Sequence, residues 1–271
     1  MRRRGDGALS KRRRGWLRVA LIWAVRLVAV TLTWQGARAE LAVDLQLVLA
    51  VDVSGSVNEA RFELQKRGYV AAFRDPRLLQ AIQSGTAQRI AVTMLQWTGP
   101  LLQVQVVPWR LVGGEASMHA VADAIEAVPR QLFGGGTSIS GAIDYGRSLF
   151  AAVEGQGGRR VIDISGDGSN NRGRPASEAR DDAVKAGISI NGLPILALDP
   201  DLDQYYLHNV IGGPNAFVIA AASYETFADA ILKKLVTEIA WRHRPRSCGW
   251  ASCRRAACAG GGCAASTWAW P

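Results

Sequence analysis

The strongest constraint on the fold is an alternation of short apolar runs with amphipathic segments, which begins at Leu41. The runs at 44–51, 159–165 and 188–198 are apolar enough for buried strands. Segments such as 59–73 and 224–240 place their apolar residues at helical spacing. Strands that alternate with helices in this way predict βαβ units and a parallel sheet with helices on both faces.

One connection departs from this pattern. The apolar runs at 89–97 and 101–109 are separated only by Thr-Gly-Pro, which is too short for a crossover helix, so they predict an antiparallel hairpin. The predicted fold class is therefore a doubly wound α/β domain over 41–241, with a mostly parallel sheet and one antiparallel edge strand. We also expect helices over 117–128, 139–153 and 175–187, and a last strand over 216–221.

The net charge of +9 comes from the two ends of the chain. Residues 1–39 hold ten of the 32 Lys and Arg residues and one of the 23 acidic residues, and 242–271 hold five arginines and no acid. This leaves 17 basic and 22 acidic residues in 40–241. A basic surface for nucleic acid is therefore not predicted for the domain.

The first 39 residues have the features of an export signal. A positively charged region precedes an apolar run, and Ala-Arg-Ala at 37–39 is typical of a cleavage site. The segment 13–18, Arg-Arg-Gly-Trp-Leu-Arg, resembles the twin-arginine pattern. Arg26 interrupts the apolar run at a cost of about 2.5–3.5 kcal/mol for insertion, which argues against a stable membrane span. We predict cleavage and a periplasmic or secreted protein, exported by the twin-arginine or general secretory route.

The last 30 residues, 242–271, contain all four cysteines, each separated from the next by four residues. Structural zinc sites mostly use shorter spacings and add histidines. The segment also lacks helical or strand periodicity. We predict a disordered tail without a metal site.

Polar residues follow the predicted strands in three loops. Asp52, Ser54 and Ser56 come directly after the first strand, Thr137 lies in a glycine-rich loop, and Asp167 follows a later strand between two glycines. Ligands of doubly wound sheets bind at the carboxyl ends of the strands, where these loops meet. Two carboxylates and three hydroxyls suit Mg²⁺, and Mn²⁺ or Ca²⁺ would also accept oxygen ligands.

Each of these loops also has a simpler interpretation. Ser56 could begin a capping box with Glu59, and Thr137 or Ser138 could cap the next helix. Asp167 could belong to an ordinary tight turn. Three such loops at the ends of strands in one sheet favour the metal site over three unrelated turns.

The chain resembles the von Willebrand factor A (vWA) domain with its metal-ion-dependent adhesion site. That site consists of Asp-x-Ser-x-Ser, a Thr and an Asp on three successive loops, and residues 52–56, Thr137 and Asp167 match it in order. Longer stretches, including 159–173, look like a bacterial family of exported vWA-like proteins of unknown function. The resemblance implies that Ser54, Ser56 and Thr137 bind the metal through hydroxyls, while both aspartates bind it directly or through water.

The functional prediction is a non-enzymatic module whose Mg²⁺ bridges to a carboxylate of an unknown protein partner. The sequence contains no recognisable hydrolase, zinc-protease or phosphate-binding motif, so we assign no catalytic residue. Two alternatives remain at this stage. The metal could be structural, tying the loops together, or the aspartates could serve a metal-dependent hydrolase.

Overall fold

A computed structural model describes residues 41–153, 155 and 157–240. The predicted export signal and the predicted disordered tail lie outside the described residues. In the described part of the chain, no helix is long and apolar enough to cross a membrane.

The centre of the domain is a five-stranded sheet with the spatial order β3-β2-β1-β4-β5. Neighbours pair in parallel except β2 and β3, which form the antiparallel hairpin at one edge. This arrangement confirms the predicted doubly wound fold class. The strands are β1 (Leu45–Asp52), β2 (Ile90–Trp97), β3 (Gln103–Val112), β4 (Arg159–Gly166) and β5 (Ile188–Pro194).

Helices cover both faces of the sheet. They are α1 (Glu59–Ala72), α2 (Pro76–Gln83), α3 (Glu115–Glu126), α4 (Ile139–Leu149), α5 (Ala176–Lys185), α6 (Leu202–Tyr205) and α7 (Phe227–Ala240). A 3₁₀ turn (Phe150–Ala152) follows α4, and a π-helical turn (Tyr206–Val210) continues α6.

Strand β1 lies in the middle of the sheet, and all eight of its residues are buried. Successive side chains point to opposite faces, so Leu47 and Leu49 join one apolar core with residues of α1 and α7, while Val48 and Ala50 join the other with residues of α4 and α5. A strand covered on both faces reads as a continuous apolar run. This explains why the polar residues from Asp52, the last residue of β1, onward stand out in the sequence.

Four charged or polar side chains are also buried between the sheet and α7. Lys234 of α7 pairs with Asp163 of β4, and Glu238 accepts a hydrogen bond from Asn191 of β5. Arg159, at the start of β4, forms an ion pair with Glu238 at 2.8 Å. Asp163, an unexpected acid inside an apolar strand, therefore has its partner in the core.

Two elements differ from the sequence prediction, one strand and one helix. The last strand predicted over 216–221 is wrong, because this segment forms only isolated bridges, from Val218 to Gly192 of β5 and from Ala221 to Ile195. The helix α2 was not predicted. Asp75 caps it by accepting from the Arg77 N–H at 2.8 Å, and Pro76 occupies its first position, where a missing N–H costs nothing.

Candidate metal centre

The loop after β1 is held in a fixed conformation by its own backbone and by two neighbouring side chains. The Ser54 N–H donates to Asp52 Oδ1 at 2.7 Å. Gln65 of α1 donates to the Asp52 carbonyl at 3.1 Å, and Arg130 donates to the carbonyls of Val53 and Ser54 at 2.9 and 3.1 Å. These bonds satisfy backbone groups of the loop and involve neither the Ser54 nor the Ser56 hydroxyl.

Oxygen atoms of the first and third loops lie within hydrogen-bonding distance of one another. Ser54 Oγ is 3.3 Å from Ser56 Oγ, and Ser56 Oγ donates to Asp167 Oδ1 at 2.6 Å. Around a Mg²⁺ ion with metal–oxygen distances of about 2.1 Å, adjacent octahedral ligands are about 3 Å apart. The spacing of these three oxygens is therefore compatible with neighbouring positions on one cation.

The loop that carries Thr137 is clamped against the third loop. The Thr137 N–H donates to Asn171 Oδ1 at 2.9 Å, and the Thr137 carbonyl accepts from the backbone N–H groups of Asn171 and Arg172 at 2.9 and 3.2 Å. A Cβ placed at Gly168, next to Asp167, would lie 3.8 Å from Thr137 Oγ1. The Thr137 side chain thus borders the loop of Asp167, and its hydroxyl forms no hydrogen bond with a described residue.

The capping roles considered for Ser56 and Thr137 belong to other residues. Asn58 caps α1, accepting from the Arg61 N–H at 3.0 Å. Ser138 caps α4, accepting from the Gly141 N–H at 3.2 Å. The hydroxyls of Ser56 and Thr137 therefore do not cap these helices, so capping does not explain their presence.

Asp52 carries an unsatisfied buried oxygen. Its Oδ2 has no hydrogen-bond partner among the described residues, although the side chain is fully buried. Burial, followed by the nearby charge of Asp167, raises the pKa of Asp52 from 3.8 to about 7, against the lowering effect of the Ser54 N–H. A buried anionic oxygen without a donor is costly, and a cation or a cation-bound water would satisfy it. The donor set therefore fits a divalent cation.

The backbone at Gly166 approaches this oxygen closely. A Cβ at this position would lie 2.8 Å from Asp52 Oδ2 and 3.0 Å from the hydroxyl of Tyr206, another buried group without a partner in the described structure. Any larger residue would therefore press on the Asp52 carboxylate.

Two further residues contact the site that the sequence did not reveal. Tyr224, just before α7, donates its hydroxyl to Asp167 Oδ2 at 2.8 Å, and Arg61 Nη1 lies 3.6 Å from the same oxygen. Arg61 also donates to the Ser56 carbonyl at 2.7 Å and stacks on the Tyr224 ring at 5.2 Å. Burial and the Asp167 charge raise the pKa of Tyr224, so it remains a donor. Both residues hold Asp167 in place and offset part of its charge.

The site depends on its hydroxyls as much as on its carboxylates. Among the described residues, no group of three or more His, Cys, Asp and Glu side chains is placed to hold a metal. The candidate ligands are the five predicted from the sequence, and the structure brings them to one edge of the sheet: Asp52, Ser54, Ser56, Thr137 and Asp167.

Comparison with protein families identifies the relatives of this domain. A family model described as "Protein of unknown function (DUF1194)" matches residues 42–243. The chain belongs to the DUF1194 family. No curated protein matches the chain.

Solved structures show that this DUF1194 member has the vWA fold. A pilus adhesin, SpaC from Lactobacillus rhamnosus GG, matches with a TM-score of 0.52 and 17% identity over 73% of this chain and 30% of its own. Proximal thread matrix protein 1 from the mussel byssus matches with a TM-score of 0.50 and 14% identity over 74% of this chain and 47% of its own. That structure has zinc in its metal-ion-dependent adhesion site (MIDAS) motif. The chain thus spans less than half the length of either structure.

Proposed function

We propose that this DUF1194 protein is an exported, non-enzymatic protein-binding module whose Mg²⁺ bridges to a carboxylate of its partner. Asp52, Ser54, Ser56, Thr137 and Asp167 would hold the ion. The observation that carries the proposal is a buried Asp52 oxygen without a partner in the described structure, in the loop whose Ser54 and Ser56 hydroxyls lie within hydrogen-bonding distance of each other, with Ser56 also bonded to Asp167.

The charges of the donor set support a bridging role. Three of the five groups are neutral hydroxyls, and Arg61 offsets part of the Asp167 charge. A divalent cation held in this way would keep excess positive charge and would attract another anionic oxygen. A partner's Asp or Glu carboxylate supplies such an oxygen.

The structural relatives also support the proposal. One of them carries zinc at a MIDAS motif, and another is a pilus adhesin. The amino-terminal segment predicts export, which would place the domain where adhesion proteins act.

Two other functions are less well supported. A hydrolase could use Asp52 or Asp167 as its base, but no histidine, cysteine or lysine in the described ranges forms a hydrogen bond or ion pair with the five oxygen-bearing side chains to serve as a nucleophile or second acid–base group. A purely structural metal would not explain why three of the five ligands are neutral hydroxyls, which leave part of the positive charge of the cation without compensation.

The first experiment is calorimetric titration of Mg²⁺ and Mn²⁺ into the purified protein and its Thr137→Ala variant. Thr137 suits this test because its hydroxyl makes no bond on which the described structure depends. Thr237→Ala on α7 is the matched control, since that hydroxyl only donates to the Lys233 carbonyl. We expect saturable binding in the wild type and the control, and none in Thr137→Ala.

Repeating the titration with acetate separates binding from a structural role. If the metal bridges to carboxylates, the metal-loaded protein should bind acetate and the metal-free protein should not. Metal that raises the melting temperature without admitting acetate would favour the structural alternative. Equal metal binding by wild type and Thr137→Ala would contradict the proposed site.

A further inference from the structure

Three arginines surround the candidate metal centre. Arg61 and Arg130 donate to backbone carbonyls of the first loop. Arg172 lies across the second loop, where a Cβ at Gly136 would meet its Cγ at 2.5 Å. We call Arg61, Arg130 and Arg172 the arginine rim. It contrasts with the domain as a whole, whose 17 basic and 22 acidic residues give a negative balance.

Arg172 is the member of the rim that is free to bind a ligand. It is exposed, and its guanidinium forms no hydrogen bond or ion pair within the described part of the chain. Its backbone N–H donates to the Thr137 carbonyl at 3.2 Å, which fixes the residue beside a candidate ligand. Arg61 is already committed to Asp167 and also lies near the exposed carboxylate of Glu225.

Apolar side chains lie next to the same loop. Phe133 is 67% exposed and Leu101 is 93% exposed, and Leu102, at 40%, approaches Gly135 closely enough to meet an added Cβ at 2.6 Å. The Arg130 guanidinium stacks on the Phe133 ring at 4.7 Å. We call Leu101, Leu102 and Phe133 the apolar patch. Exposed large apolar side chains that cluster beside a polar centre are typical of an interaction surface.

We propose that the partner segment is acidic and apolar at the same time. Besides the carboxylate that binds the metal, it carries a second acidic side chain that pairs with Arg172 and a large apolar side chain that packs on the apolar patch. This inference rests on the proposed function. It adds which residues flank the metal-binding carboxylate in the partner, which the metal alone does not determine. Any exposed carboxylate could bind the cation, whereas the arginine rim and the apolar patch select the residues that flank it.

The test uses the full-length protein and a displayed library of random peptides, bound in Mg²⁺ and eluted with EDTA. We expect recovered peptides to share one acidic residue, a second acid nearby and a leucine or an aromatic residue. Synthetic peptides of the recovered sequences are then measured against Arg172→Glu, Phe133→Ser and Arg110→Glu. Arg110 is the matched control, because it is an exposed arginine without a bonded partner in the described structure, and it lies on β3 opposite Val92, toward the other end of β2.

Arg172→Glu should weaken peptide binding by about three- to ten-fold, mainly through slower association, while Arg110→Glu leaves it unchanged. The difference should shrink from about 0.01 M to about 0.1 M ionic strength, as the Debye length falls from about 30 to about 10 Å. Phe133→Ser should weaken binding by about ten-fold at both ionic strengths, because burial of apolar surface is not screened by salt.

The outcomes separate this inference from the proposed function. Metal-dependent peptides that lack the second acid and the apolar residue, or that bind Arg172→Glu as well as wild type, reject the inference and leave the metal bridge intact. If no peptide is retained in a metal-dependent manner, both are rejected. Phosphatidylglycerol vesicles serve as a second probe, and retention on them that Arg172→Glu abolishes, without selected peptides, would assign the rim to lipid and overturn the inference.

Discussion

Replacement of Asp52 by asparagine should stabilise the metal-free domain at pH 8. The wild-type carboxylate is fully buried, has one oxygen without a partner among the described residues, and lies near the charge of Asp167. Asparagine keeps the Oδ1 acceptor for the Ser54 N–H and removes the charge. The cost of keeping Asp52 ionised in the folded state therefore disappears in Asp52→Asn.

The size of this effect follows from the pKa of Asp52, which rises from 3.8 in the unfolded chain to about 7 in the fold. A carboxyl whose pKa is raised by folding binds more protons in the folded state, so its contribution to stability falls as the pH rises from about 4 to about 7. At 1.36 kcal/mol per pKa unit the full loss is about 4 kcal/mol above pH 7 and about 2 kcal/mol at pH 5. The buried amide of asparagine has no partner for its N–H groups, which lowers the stability of the variant by about 1–3 kcal/mol at either pH.

The pH dependence is therefore more informative than the absolute gain. The free energy of unfolding of Asp52→Asn relative to that of the wild type should rise by about 2–3 kcal/mol between pH 5 and pH 8. Urea unfolding in EDTA at both pH values measures it, with Glu178→Gln, which removes an exposed carboxylate on α5, as the control. An advantage that stays constant between pH 5 and pH 8 would show that Asp52 is not held ionised at a cost. Saturating Mg²⁺ should reverse the order, because only the wild type gains from the cation.

Three further substitutions test other parts of the structure. Lys234→Met leaves Asp163 buried and unpaired, so it should lower the free energy of unfolding by about 3–5 kcal/mol in urea titrations, and the added change Asp163→Leu should recover much of this loss. Gly166→Ala places a methyl group 2.8 Å from Asp52 Oδ2, so calorimetry should show Mg²⁺ affinity at least about ten-fold lower with the fold retained by circular dichroism. Tyr224→Phe removes a donor to Asp167, so the unfolding free energy in EDTA should fall by about 1–3 kcal/mol, and an unchanged value would show that the hydroxyl does not support the carboxylate.

The order of strands and helices was predictable because each is recorded locally in the sequence. Strand β1 is a continuous apolar run because both of its faces are covered, and the short Thr-Gly-Pro connection permits only a hairpin. The strand predicted over 216–221 is wrong because an apolar run of that length fits a strand, whereas tertiary packing gives the segment only isolated bridges to β5 and to Ile195. Helix α2 is absent from the prediction although Asp75 followed by Pro76 is a typical helix start, because its eight residues are too few to show a clear helical period.

The candidate ligands were predictable for a similar reason, since each lies at the end of a strand or the start of a helix. The groups that hold them were not. Tyr224 is 57 residues from Asp167, and Asn171 is 34 residues from Thr137. Nothing in the sequence around Tyr224 indicates a metal site, because its contact arises only when α7 packs beside β4. An aromatic hydroxyl just before a helix at the carboxyl edge is a weak signal at best.

At the carboxyl edge of the sheet, the metal-free domain keeps buried polar groups without hydrogen-bond partners, which folded domains usually avoid. Asp52 Oδ2 and the Tyr206 hydroxyl are buried without partners in the described structure, and the backbone at Gly166 lies too close to both for any larger residue. Since buried polar groups without partners cost stability, their presence beside hydroxyls that cap no helix argues for a ligand at this place. The arginine rim strengthens the argument, because Arg61 and Arg130 fix the loops through carbonyl oxygens and leave the side-chain oxygens of Ser54 and Ser56 available to a cation.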